Sequence, residues 1–119
     1  MDLARIGAVL AFLGVALGAF GAHALRSRLT WEAMEVWHTA VFYHLLHAVA
    51  LFALGLHSRA TGKNFKFSGT FFLLGILFFS GSLYALALTG VKPLGAITPL
   101  GGACFLIGWG CLAIQRADQ

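Results

Sequence analysis

Four long runs without a formal charge dominate this 119-residue chain and restrict the folds open to it. They cover residues 6–25, 36–56, 67–91 and 93–115. Each reaches the roughly 20 residues that a helix needs to cross a hydrocarbon core. Backbone polar groups in lipid must be satisfied within the segment, which favours helices, and the alternation typical of membrane strands is absent. We therefore predict an all-α membrane protein, a single four-transmembrane-helix domain over residues 1–119.

The basic residues predict how the chain sits in the membrane. The N-terminal segment, the second loop and the C-terminal segment carry five of the eight Lys and Arg residues, whereas the first and third loops carry three. Because cytoplasmic segments are richer in Lys and Arg, both termini are predicted to be cytoplasmic. Trp31 and Trp37 would then lie at the outer interface. The basic residues occupy short loops, so the net charge of +4 indicates anionic headgroups and not nucleic acid.

Small residues recur at helical spacing along the first and fourth runs. Since small residues let membrane helices approach closely, each series predicts a packing seam. The seams consist of Gly7, Ala11, Gly14, Gly18 and Gly21 on the first helix, and of Gly101, Cys104 and Gly108 on the fourth. We predict that they pack helices of the same bundle. The alternative is that one seam faces another subunit.

Histidines inside the second run are the main candidates for function, because ionisable side chains are costly in a membrane. His44 and His47 are three residues apart, hence about 60° apart around a helix. If they were two ligands of a metal site, His23 on the first helix would be the best candidate for a third. Three interpretations are open. The imidazoles form a structural polar clamp, half of a metal or haem site, or part of a proton or ligand path. A zinc site would need further ligands, so we predict no metal and no cofactor.

The start of the fourth run contains a proline, and together with these histidines it suggests a polar pocket. Thr98-Pro99 has the form of an N-cap followed by proline at the first helical position, which makes residues 94–97 a non-helical lead-in. The alternative is that Pro99 kinks a helix that begins near Leu94. Non-helical backbone at membrane depth needs protein or a wet cavity beside it. We predict a small polar pocket in the outer half, formed by His23, Thr39, Tyr43, His44, His47, Ser82, Tyr84 and Thr98.

Four segments in order along the chain resemble one known family. They are GAFGAHAL at 18–25, WHTAVFYHLLHA at 37–48, GSLYAL at 81–86 and ITPLGG at 97–102. The chain is similar in these segments to the small bacterial inner-membrane proteins of the YgdD/YwdK type, a family of unknown function related to animal transmembrane protein 256. The resemblance implies a four-helix protein of the bacterial inner membrane and implies no reaction. The polar positions of the predicted pocket fall within these segments.

The sequence holds no paired-carboxylate site, cysteine–histidine nucleophile or phosphate-binding loop, so we predict that the protein is not an enzyme. The expected function is that of a non-catalytic structural or accessory subunit. Its partners would be the lipid bilayer and either other membrane subunits or a second copy of itself. The alternative is a binder of a small ligand, a metal or haem, or a transport component, that uses the histidine-lined pocket.

Overall fold

The computed structural model describes residues 1–115, and these residues form four helical spans. Each span is long and apolar enough to cross a membrane, and residues 1–115 contain no β-strand. The spans are Leu3–Leu25, Trp31–Thr61, Lys66–Thr89 and Lys92–Ile114. The predicted all-α fold with four membrane spans is confirmed. The molecule measures 50 × 26 × 19 Å, so it is about two helix diameters thick.

Polar residues set the ends of the spans, which is why the first two spans begin before the uncharged runs do. The Asp2 side chain accepts a hydrogen bond from the backbone N–H of Arg5 at 3.2 Å, and Thr30 accepts one from Ala33 at 3.1 Å. These are N-caps, which satisfy N–H groups that have no partner within the helix. The second span ends at Thr61 and is capped by Gly62, whose φ of +74° favours glycine over other residues.

Three of the four spans change helix type along their length. The first is α1 (Leu3–Phe20) followed by a π-helical turn (Gly21–Leu25), and the second is the single helix α2 (Trp31–Thr61). The third consists of α3 (Lys66–Gly75), a π-helical turn (Ile76–Ser80) and α4 (Gly81–Thr89). The fourth consists of a 3₁₀ helix (Lys92–Ala96) and α5 (Thr98–Ile114). Widened π turns inside helices frequently lie at functional sites.

The predicted start of the fourth helix was wrong in two respects. The lead-in is not irregular but a 3₁₀ helix, and Thr98 is the first residue of α5 and not its N-cap. The Thr98 hydroxyl lies 2.6 Å from the Ser82 Oγ on the third span. The Thr98 hydroxyl therefore bonds a neighbouring helix and does not cap its own. The alternative of one kinked helix beginning near Leu94 is also not observed.

The four spans pack in chain order, each against the next. The first lies along the second, the second packs on the α4 half of the third, and α5 packs on α3 and the π turn of the third. The second and fourth spans thus flank the third, and a groove remains between them. The bundle is consequently open towards lipid on one side.

The apolar core forms two clusters, one towards each end of the bundle. The cluster nearer the termini is built from Leu3, Leu51, Phe65, Phe72, Ile76 and Phe105. The other contains Leu25, Met34, Trp37 and Ala87. Trp37, which was expected at the outer interface, has its side chain inside the bundle and not facing headgroups. Its side chain is 2% exposed, and its indole N–H donates to the Leu17 carbonyl at 3.0 Å.

Candidate functional site

The eight residues predicted to form one polar pocket do not come together in the structure. His44 and His47 are both buried, but they bond to different helices. Ser82 pairs with Thr98 between the third and fourth spans. Thr39 is exposed and bonds back to its own helix at the Glu35 carbonyl, and the His23 side chain is exposed as well. The single pocket is replaced by separate polar ties between helices.

His44 ties the second span to the first and the third. Its Nε2 lies 2.8 Å from the Leu10 carbonyl oxygen, and its Nδ1 lies 2.7 Å from the Tyr84 hydroxyl. A carbonyl oxygen only accepts, so Nε2 carries the proton. In the neutral imidazole, which the membrane interior favours, Nδ1 then accepts from the Tyr84 O–H. Both ring nitrogens are used, and one side chain joins three helices.

A glycine makes room for this bond on the first helix. Gly14 stands four residues after Leu10, and a Cβ built on it would lie 3.3 Å from the His44 ring and 2.6 Å from the Leu45 side chain. Without that Cβ, the imidazole reaches the carbonyl of the preceding turn. The Gly14 position of the predicted seam therefore serves a hydrogen bond as well as close packing.

The same arrangement recurs seven residues further along the first span. Gly21 stands four residues after Leu17, and a Cβ on Gly21 would collide with the Trp37 indole that bonds the Leu17 carbonyl. His44 and Trp37 are also seven residues apart on the antiparallel second span. Two heptad-spaced donors on one helix therefore meet two heptad-spaced carbonyls on the other. Sequence reasoning missed this pattern, although the glycines at i+4 were a readable signal for it.

His47 ties the second span to the fourth. Its Nδ1 lies 2.9 Å from the Tyr43 carbonyl oxygen, and its Nε2 accepts the Trp109 indole N–H at 3.0 Å. An indole N–H can only donate, so Nε2 must be unprotonated and the imidazole neutral. The ring also stacks on Phe105, with centroids 3.6 Å apart and planes 9° apart. His44 and His47 therefore hold opposite tautomers.

A buried serine adds one more tie, at the π turn of the third span. The Ser80 Oγ donates to the Ala40 carbonyl at 2.8 Å, and Ser80 is fully buried. Ser80 lies in this widened turn and bonds the second span. Its bond is one helical turn from the Tyr84–His44 bond, because Ser80 and Ala40 stand four residues before Tyr84 and His44, respectively. No buried side-chain nitrogen or oxygen within residues 1–115 lacks a hydrogen-bond partner.

The seam glycines lie between helices of this one chain. A Cβ on Gly7 would collide with the backbone of Phe52 on the second span, and one on Gly101 with the backbone of Phe79 on the third. A Cβ on Gly108 would lie 2.6 Å from the Phe72 ring. The alternative in which one of these glycine faces meets another subunit was therefore wrong. Three other seam positions, Ala11, Gly18 and Cys104, are half-buried.

An apolar groove of about 550 Å³ lies between the second and fourth spans. Its lining includes Tyr43, His47, Phe79, Gly102, Ala103 and Trp109. A Cβ on Gly102 would meet only the Phe79 ring, at 3.9 Å, so this wall leaves space free. Within residues 1–115 the half-buried Tyr43 hydroxyl makes no hydrogen bond. The groove thus combines small residues with one unused polar group.

The residues described here do not assemble a metal site. No group of three or more His, Cys, Asp or Glu side chains within residues 1–115 is placed to hold a metal ion. Cys104 and Cys111 are free thiols. Each buried imidazole already uses both nitrogens, so metal ligation by His44 or His47 would first have to break a tie between helices.

Comparison with known proteins places the chain among bacterial membrane proteins. A family model described as a protein of unknown function (DUF423) matches residues 17–102. A UPF0382 membrane protein of Staphylococcus epidermidis is 48% identical over 109 residues, 92% of this chain and 89% of its own length. The UPF0382 membrane protein YwdK of Bacillus subtilis is 46% identical over 106 residues, 87% of this chain and 86% of its own length. No solved structure matches. The chain is a multi-pass membrane protein that belongs to the DUF423 family.

Proposed function

We propose that this protein is a non-catalytic accessory subunit, and that a transmembrane helix of a partner protein packs into the groove between its second and fourth spans. The groove carries this proposal, because it is an opening at membrane depth bordered by small residues and by the unused Tyr43 hydroxyl. Membrane helices associate through small residues that permit close approach, with polar side chains that bond across the interface. Both elements are present on this face.

The chemistry of the interior supports a structural role over a catalytic one. His44 and His47 use ring nitrogens in hydrogen bonds that join helices. Hydroxyls of the third and fourth spans are used in the same way; they belong to Ser80, Ser82 and Thr98. These bonds match the clamp interpretation of the histidines. They give no support to a metal, haem or proton-path role, which would need a ring nitrogen that is not already bonded.

The dimensions of the groove favour a crossing helix as its occupant. The lining runs from Tyr43 to His47 on the second span and from Pro99 to Trp109 on the fourth. The stretch on the fourth span is about 15 Å long at 1.5 Å per residue, which suits the contact zone of two crossing helices. No residue that lines the groove carries a formal charge. We therefore expect a partner helix with an apolar, small-residue face and one hydrogen-bond acceptor opposite Tyr43.

Filling the groove should break this association and leave the fold intact. In Gly102→Leu the added side chain occupies open space next to Phe79, and overpacking of this size should lower recovery of the complex at least tenfold. Gly110→Leu is the matched control, because a Cβ there meets nothing within 4 Å and Gly110 does not line the groove. Photo-cross-linking from Leu106 in native membranes, followed by mass spectrometry, would identify and quantify the partner.

The proposal requires one partner at fixed stoichiometry, lost in Gly102→Leu and kept in Gly110→Leu. Tyr43→Phe should weaken the association about threefold to tenfold, as expected for one hydrogen bond in a membrane. Cross-links only to lipid, or to a partner whose recovery is the same in both glycine variants, would contradict it. Cross-links only to a second copy of the chain would show self-association through the groove and contradict an accessory role.

A further inference from the structure

The end of the molecule that holds the N-terminus and the second loop is strongly basic. Arg5, Arg59, Lys63 and Lys66 lie there, and Asp2 is the one acidic residue near them among residues 1–115. The opposite end has three basic residues, Arg26, Arg28 and Lys92, but it also has Glu32 and Glu35. The charge is therefore concentrated at the end where the first and third spans begin.

A pocket of about 360 Å³ opens between the starts of these two spans. Asp2, Arg59, Asn64 and Lys66 are among its lining residues. The Arg59 guanidinium lies 2.9 Å from each Asp2 carboxylate oxygen, so these two charges offset each other. Lys66 is exposed and has no ion-pair partner among residues 1–115. The pocket therefore retains a net positive charge.

Asp2 does not become a neutral group near physiological pH. The backbone N–H of Arg5 and the Arg59 guanidinium both bond its carboxylate and hold the pKa of Asp2 below the usual value of 3.8. Its negative charge is thus fixed and already compensated. Lys66 stands in the first turn of α3, which contains no acidic residue, and its backbone N–H donates to the Asn64 Oδ1 at 2.8 Å. The other N–H groups of that turn add to the positive potential around Lys66.

We propose that this pocket binds the phosphate group of an anionic phospholipid. The pocket lies where the membrane spans begin, hence at the depth of the headgroups. The Lys66 ammonium can donate to phosphate oxygens, and so can the Asn64 NH₂ group, since only the Asn64 Oδ1 is used by the Lys66 N–H. The net positive charge disfavours the cationic headgroups of zwitterionic lipids. The occupant is a membrane lipid and not a soluble anion, because its acyl chains would continue along the apolar spans. This inference is independent of the partner helix proposed for the groove.

The test uses the full-length protein in nanodiscs of phosphatidylcholine with 20% phosphatidylglycerol, and native mass spectrometry to count the lipids that stay bound. We expect wild type to retain phosphatidylglycerol preferentially. Lys66→Gln should lower that affinity about fivefold, the effect of one basic residue at a membrane surface. Lys92→Gln, which removes the same charge at the opposite end, should change it less than twofold. Salt at 0.5 M should weaken the retention in wild type.

A gain-of-binding variant separates recognition from folding. Asp2→Asn keeps an N-capping side chain but removes the negative charge from the pocket. It should therefore raise retention of phosphatidylglycerol about fivefold. Equal losses in Lys66→Gln and Lys92→Gln, or equal retention of phosphatidylcholine, would overturn the proposal. Displacement of the lipid by millimolar glycerol phosphate would show a soluble-anion site and overturn the commitment to lipid.

Discussion

Gly7→Val should lower the free energy of unfolding by about 3 kcal/mol, the upper end of the usual cost of overpacking. A Cβ at Gly7 would collide with the backbone of Phe52 and lie 2.8 Å from the Ala48 carbonyl oxygen. Backbone atoms cannot rotate away as a flexible side chain can, so the first and second spans must separate. Unfolding in mixed micelles with rising SDS, followed by circular dichroism, measures the loss.

The control for this experiment is Gly110→Val on the fourth span. A Cβ there meets nothing within 4 Å, so the same substitution should change stability by less than about 1 kcal/mol. The contrast isolates the contact between helices from the general effect of valine in a helix. Equal stability of the two variants would mean that the first two spans do not approach as closely as the structure shows.

His44→Leu should lower the free energy of unfolding by about 2–3 kcal/mol, because it removes two hydrogen bonds and leaves the Tyr84 hydroxyl unpaired. Leucine is similar in size to histidine, so the loss reports mainly on polarity. His38→Leu is the control: His38 is exposed on the same helix, and its replacement should cost less than about 0.5 kcal/mol. The same unfolding assay applies to both.

A double-mutant cycle with Tyr84→Phe assigns the effect to the bond itself. In the wild-type background Tyr84→Phe should lower the free energy of unfolding by about 1 kcal/mol. In the His44→Leu background the same substitution should lower it clearly less. Additive losses would indicate that His44 and Tyr84 do not interact. Equal stabilities of His44→Leu and His38→Leu would contradict the role of the His44 tie.

The number and approximate positions of the spans could be predicted because they depend on local composition. A run without charge, long enough to cross lipid, is visible in the sequence whatever it packs against. The same holds for the seam glycines, since spacing alone puts Gly7, Gly14 and Gly21 on one side of a helix. Their neighbours could not be predicted, because helical periodicity gives a direction around an axis and not the helix that lies there.

The predicted pocket failed for this reason. His44 and His47 are close in sequence and about 60° apart around the helix, but that angle turns His44 towards the first and third spans and His47 towards the fourth. One ring consequently bonds Leu10 and Tyr84, and the other bonds Trp109. Thr98 shows a related limit of prediction from sequence. Its hydroxyl could have capped its own helix, but it bonds Ser82 on the third span instead.

Nitrogen-15 NMR of histidine-labelled protein in nanodiscs tests the central claim, that both buried imidazoles are neutral ties between helices. The geometry predicts that His44 carries its proton on Nε2 and His47 on Nδ1, and that Trp109→Phe perturbs the His47 signals but not those of His44. Addition of zinc should leave the four ring-nitrogen signals of His44 and His47 in place, whatever it does to those of the three exposed histidines. A doubly protonated ring at His44 or His47, the same tautomer at both, or a zinc-induced shift of either residue's signals would contradict the account.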